Sequence, residues 1–171
     1  MRDDGAPLPT TEGRSPTVGR RLAPVEAATL RLVAAGLTTK EIAGRRGISV
    51  DGVRSALRRC QAKIGVIDYA ALVHNAYRTR QLPTPRGWAT VRRPVLNAEQ
   101  QRLLSLLSVG ATARQIASAV YRSRSTVQTR LRSLRAALGA ATSAQAVHLG
   151  WQYGYLGDEP NQYQGTGGGD A

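Results

Sequence analysis

Between Val53 and Ile64 the apolar positions Val53, Leu57, Cys60 and Ile64 follow one another at intervals of four, three and four. That spacing lays them along one stripe of a helix. The same intervals return at Val127, Leu131, Leu134 and Leu138. Off the stripe stand Arg54, Ser55, Arg58, Arg59 and Gln61 in the first run, and Gln128, Thr129, Arg132, Ser133 and Arg135 in the second. Each helix therefore has one face for a core and one rich in hydrogen-bonding groups. Ser49 and Ser123 suit the cap position ahead of them.

Shorter helices precede both runs. "TTKE", Thr38 to Glu41, and "TARQ", Thr112 to Gln115, fit the capping box, in which a hydroxyl and the side chain three residues on satisfy each other's backbone donors. Before them, "APVEAATLRLVAAG" has Pro24 in a first turn, Glu26 near the positive helix end and a stop at Gly36. "NAEQQRLLSLLSVG" has Asn97 as its cap and stops at Gly110. A fourth helix is predicted from about Asp68 to Arg80, and again from Ser143 to about Tyr153. Its apolar positions, Ala70, Val73 and Tyr77 or Ala144, Val147 and Trp151, mark a packing or pairing surface.

The chain is thus a duplication. Shifted by 74 residues, Leu22–Leu82 aligns without a gap on Leu96–Leu156, and 17 of the 61 positions are identical. The predicted organisation is all-α: two tandem four-helix domains, 22–82 and 96–156, joined by a linker, 83–95. The tail 1–21 is rich in Pro, Gly and Thr, and the tail 157–171 is polar and glycine-rich. Such composition predicts disorder at both ends.

Charge narrows the class of partner. The chain carries 24 basic residues, a net charge of +13 and a pI near 11.3, a balance that suits a polyanion. Both repeats and the linker share it: +6, +3 and +6, against +1 and −3 in the tails. No stretch is long and apolar enough to span a membrane, and no helix combines basic residues with aromatic anchors. The N-terminus lacks a secretory h-region and the lone Cys60 has no disulfide partner, so the expected compartment is the cytoplasm, with the nucleoid as the site of action. With only His74, His148 and one cysteine, a dedicated metal site lacks ligands. No nucleophile–base pair, paired carboxylates or phosphate-binding glycine loop occurs in a suitable context, so neither enzyme activity nor a cofactor is expected.

Two helices linked by a tight turn, the second presenting donors opposite its buried stripe, fit the major groove of B-DNA. The segments "LAPVEAATLRLVAAGLTTKEIAGRRGISVDGVRSALRRCQAKIGV" and, more distantly, "LNAEQQRLLSLLSVGATARQIASAVYRSRSTVQTRLRSLRAALGA" resemble the LuxR-type (GerE-like) helix-turn-helix family. With the fourth helices the resemblance covers about 120 of the 171 residues. It implies that the third helix enters the major groove, with Arg54, Ser55 and Arg58, and Gln128, Thr129 and Arg132, making contacts. It also implies that the fourth helix pairs domains, around Val73 and Tyr77 and around Val147 and Trp151, within the chain or between two chains. The sequence departs from the family pattern at Arg46, where a buried leucine is usual, at Gly52, where threonine is usual, and at Tyr121, Arg122 and Gln128 of the second copy. Members commonly carry a receiver or sensing domain; none is recognised in this sequence, so regulation is expected from abundance, a partner or the tails.

Other side chains extend or limit this reading. Arg59 shares the polar face of Arg54 and Arg58. In the linker, Arg86, Arg92 and Arg93 suit a spacer or a basic arm on the phosphate backbone or in a minor groove. From Arg80 to Asn97 an extended chain reaches about 55 Å, more than the roughly 34 Å of one DNA turn. His74 and His148 occupy one repeat position and are predicted to be partly buried and hydrogen-bonded, and Cys60 to act as a small hydrophobe. The function predicted is sequence-specific transcriptional regulation on double-stranded DNA. Two alternatives use the same residues: a module that binds RNA polymerase or another regulator, and a non-specific architectural or replicon-maintenance protein.

Overall fold

The computed structural model describes residues 19–85 and 93–157. Residues 1–18 and 158–171 of the predicted tails, and the linker from Arg86 to Arg92, lie outside the described residues. At the end of the first tail, disorder does not hold: Gly19 N–H donates to Lys63 O at 2.8 Å and Lys63 Nζ to Arg21 O at 3.3 Å, which ties 19–21 to a helix end.

Among the described residues there are eight helices and no strand: α1 (Pro24–Ala34), α2 (Thr39–Arg46), α3 (Val50–Ile64), α4 (Tyr69–Arg78), α5 (Ala98–Ser108), α6 (Ala113–Ala119), α7 (Arg124–Leu138) and α8 (Ser143–Gln152). The all-helical class read from the sequence is the observed one. Each helix of the second set starts 74 residues after its counterpart, as Pro24 and Ala98 or Val50 and Arg124 illustrate.

Local chemistry sets the starts. Thr38 Oγ1 accepts the Glu41 N–H at 3.3 Å while Glu41 Oε2 accepts the Thr38 N–H at 2.7 Å. Thr112 and Gln115 repeat this at 3.3 and 2.8 Å. Asn97 and Gln100 close the same reciprocal box on α5. Ala23 has no capping side chain, and Glu26 Oε2 accepts its N–H at 2.7 Å. Ser49 and Ser123 cap α3 and α7, and Asp68 and Thr142 cap α4 and α8. Each cap satisfies backbone donors that the helix leaves over.

The fourth helices end slightly earlier than predicted, at Arg78 and Gln152. Arg80, at φ 55°, has left the helical region. Between α2 and α3 the chain turns through Gly47 at φ 62°. The equivalent turn of the second unit passes through Tyr121 at φ 52°, where a side chain meets its own backbone.

Leu30, Ile42, Val53, Leu57, Cys60 and Val73 from the first set of helices, and Leu104, Ile116, Val127, Leu134 and Val147 from the second, are buried in one continuous core. Burying one such side chain contributes about 1.5–3 kcal/mol. The stripes are not uniformly deep: Ile64 and Leu131 are only partly buried. Arg46, at the position of a usual core leucine, donates from Nη1 to Val25 O at 3.2 Å and to Thr29 Oγ1. Thr29 is fully buried. The second unit has Leu103 and Val120 at the corresponding positions, so a polar pair in one copy replaces an apolar pair in the other.

The two units meet along α4 and α8, supported by α1 on α8 and α4 on α5. Gly36 and Gly110, identical in the repeat alignment, end α1 and α5 with positive φ and touch the opposite unit. A Cβ on Gly110 would stand 3.0 Å from Ala71 Cβ, and one on Gly36 would meet the Gln145 side chain.

Candidate nucleic-acid interface

α3 turns Val53, Ala56, Leu57 and Cys60 inward, which leaves Arg54 and Arg58 on the outer face with Ser55 half-buried between them. Arg54 Nη1 pairs with Asp51 Oδ1 at 3.0 Å, one helical turn back, with both side chains well exposed. Arg58 donates from Nη2 to Ser55 Oγ at 3.0 Å. Two exposed arginines thus flank a half-buried hydroxyl along the outer side of α3.

Arg59 faces a different way. Its Nε donates to Glu26 Oε1 at 3.2 Å, across to α1. Glu26 is 3% exposed and also accepts Lys63 Nζ at 2.7 Å. Burial alone would raise its carboxyl pKa, but Lys63, the Ala23 N–H and Arg59 together hold it below the ordinary carboxylate value. Arg59 is therefore engaged with its own domain, a role its place on the polar face did not reveal. Neither the Asp51–Arg54 pair nor the link between Glu26, Arg59 and Lys63 was read from the sequence; the first lies within one helical turn, whereas the second spans more than thirty residues.

On α7, Gln128, Thr129 and Arg132 are exposed while Val127, Leu134 and Leu138 are buried. The head of this helix differs from that of α3: Arg124 and Ser125 stand where α3 has Val50 and Asp51. Arg130 pairs with Glu99 of α5. Arg93 lies over the Tyr155 ring at 3.8 Å, and Tyr155 donates its hydroxyl proton to Pro94 O at 2.5 Å. This end of the linker is packed on the second unit. Arg92 lies outside the described residues.

Tyr77 and Trp151 meet between α4 and α8 with ring centroids 5.7 Å apart, and Val73 and Val147 of the same two helices are fully buried. Tyr77 Oη and His148 Nδ1 are 2.6 Å apart. Trp151 Nε1 donates to His74 Nδ1 at 3.0 Å. The two contacts are related by exchange of the units, so each repeat's histidine meets the other's aromatic residue. Burial lowers the His148 pKa from its ordinary value and pushes the Tyr77 hydroxyl up to about 12. Cys60 is fully buried on the core stripe, and burial, with the Glu26 charge, raises its thiol to about 11. It is a packing residue.

Among the described residues no three His, Cys, Asp or Glu side chains gather in a way that would hold a metal ion. Nor is any described helix long and apolar enough to cross a membrane. No curated protein and no solved structure matches the chain. Residues 20–76 match the model of the GerE family, described as bacterial regulatory proteins, luxR family, so the segment from α1 through most of α4 is similar to the DNA-binding helix-turn-helix domain of that family of regulators.

Proposed function

We propose that the protein is a sequence-specific, double-stranded DNA-binding transcriptional regulator of the bacterial cytoplasm, in which two LuxR-type units act as a covalent pseudo-dimer. α3 and α7 enter major grooves, and the α4–α8 seam holds the two heads in one fixed relation. The observation that carries this reading is the polar line of Arg54, Ser55 and Arg58 on the family-matched unit, repeated 74 residues later by Gln128, Thr129 and Arg132 on an α7 of the same length. Linking two weakly binding heads raises the local concentration of the second once the first has bound, so modest contacts sum to a useful affinity. The basic surface adds a salt-sensitive, sequence-independent attraction to phosphates.

Selection of bound duplexes from a random library by the full chain, near physiological salt, tests this reading. The expected product is one motif with two elements at a fixed spacing. Replacing both Gln128 and Arg132 by alanine weakens binding about 10-fold or more and erases preference in one element. A single element in the wild-type selection leaves the second unit to a protein partner such as RNA polymerase. Salt-sensitive binding with no enrichment belongs instead to an architectural protein.

A further inference from the structure

The two reading faces are not copies of each other. Arg54 becomes Gln128, and Asp51, which pairs with Arg54, becomes Ser125. Both differences fall on exposed side chains at equivalent positions of helices with equal length. They therefore alter what the helix presents to a groove while the buried stripe beneath keeps its spacing.

We infer that the chain recognises a non-palindromic site in a single orientation, with guanine opposite Arg54 in one element and adenine at the equivalent position opposite Gln128 in the other. The inference rests on the proposed DNA-binding reading and specifies its ligand. An arginine fork matches the two acceptors, N7 and O6, on guanine. A glutamine amide offers one donor and one acceptor, the complement of N7 and the N6 amino group on adenine. Asp51 sharpens the first choice. It accepts from Arg54 Nη1 at 3.0 Å, which fixes the side chain against the helix and leaves Nη2 and Nε free to donate, and its own charge repels phosphate oxygens, which disfavours a backbone contact by Arg54. Ser125 puts no such charge beside Gln128. Because the heads are joined through α4 and α8 within one chain, exchange of the two half-sites is not a symmetry of the complex.

The test is the random-library selection repeated on a variant whose α7 is given the reading residues of α3: Gln128→Arg with Ser125→Asp. Both positions are exposed, and thermal unfolding checks that the fold is retained. The expected wild-type motif has unlike elements, and the variant selects guanine at the equivalent position of both. It prefers the duplex with two guanine elements over the wild-type duplex by about 10-fold, the discrimination of one good side-chain–base pair. The single change Asp51→Ser tightens binding to all duplexes while reducing discrimination for guanine. A wild-type motif that is palindromic at this position, a single element, or a variant that still prefers the wild-type duplex overturns the inference and leaves DNA binding standing. The absence of any enriched motif overturns the DNA-recognition reading itself.

Discussion

Glu26 is a carboxylate almost closed off from water, with the Ala23 N–H, Lys63 and Arg59 all donating to it. It ties the first turn of α1 to the last turns of α3. Replacing it with alanine leaves Lys63, itself largely covered, facing a void and uncaps α1. Glu26→Ala should destabilise the first unit by about 3 kcal/mol, read as a lower urea midpoint. The same interaction predicts acid sensitivity. The Glu26 pKa is depressed in the folded state, so the stability it contributes is present above the ordinary carboxylate value and is lost as pH falls through the folded one. The second unit has Gln100, Ser133 and Ala137 at the three positions and makes no such link.

At the level of elements, the two helix-turn-helix pairs solve one geometric problem with different residues. The α2–α3 turn requires a left-handed backbone, which Gly47 adopts without cost. Tyr121 in the α6–α7 turn adopts it under strain, and the residue is 92% exposed, with little packing in return. Tyr121→Gly should therefore stabilise the second unit by about 0.5–1 kcal/mol, the relief of strain outweighing the greater freedom of glycine in the unfolded chain. Thermal unfolding of the variant beside the wild type decides it. A fall in stability instead would mean that the tyrosine ring makes contacts worth more than the strain. The exchange of Thr29 and Arg46 for Leu103 and Val120 has the same character. A buried hydroxyl accepts from a guanidinium in the first unit, where the second has a buried leucine and a partly buried valine.

For the whole molecule, the α4–α8 seam decides behaviour in solution. Val73, Tyr77, Val147 and Trp151 are already covered within one chain, so these four side chains are not open to a second copy. Light scattering should give a monomer of 18.3 kDa at micromolar concentration. The seam also depends on pH. Trp151 Nε1–H is only a donor, so His74 Nδ1 must be unprotonated to accept from it. Burial depresses the His148 pKa below its ordinary 6.5. As pH falls, the unfolded chain takes up the proton first. The stabilisation is complete above about pH 6.5 and is lost progressively below it. The melting temperature should drop between pH 7.5 and 5.5, and the drop should shrink in His148→Gln.

What the amino-acid sequence determined by itself is local and periodic. Helix starts were legible because caps such as Thr38 with Glu41 and Thr112 with Gln115 act within four residues. The buried stripes were legible because the helical repeat forces Val53, Leu57 and Cys60, or Val127 and Leu134, onto one side. The outward lines of Arg54, Ser55 and Arg58, and of Gln128, Thr129 and Arg132, followed from the same period. Tertiary structure alone decided what depends on distant partners. It turned Arg59 onto Glu26, laid Arg93 on Tyr155, and replaced a core contact with the Arg46–Thr29 hydrogen bond. It also joined the fourth helices within the chain, where the sequence left pairing within the chain and between two chains open. Periodicity states which face of a helix is apolar; which surface covers that face is settled only when the chain has folded back across some seventy residues to bring His148 to Tyr77 and Trp151 to His74.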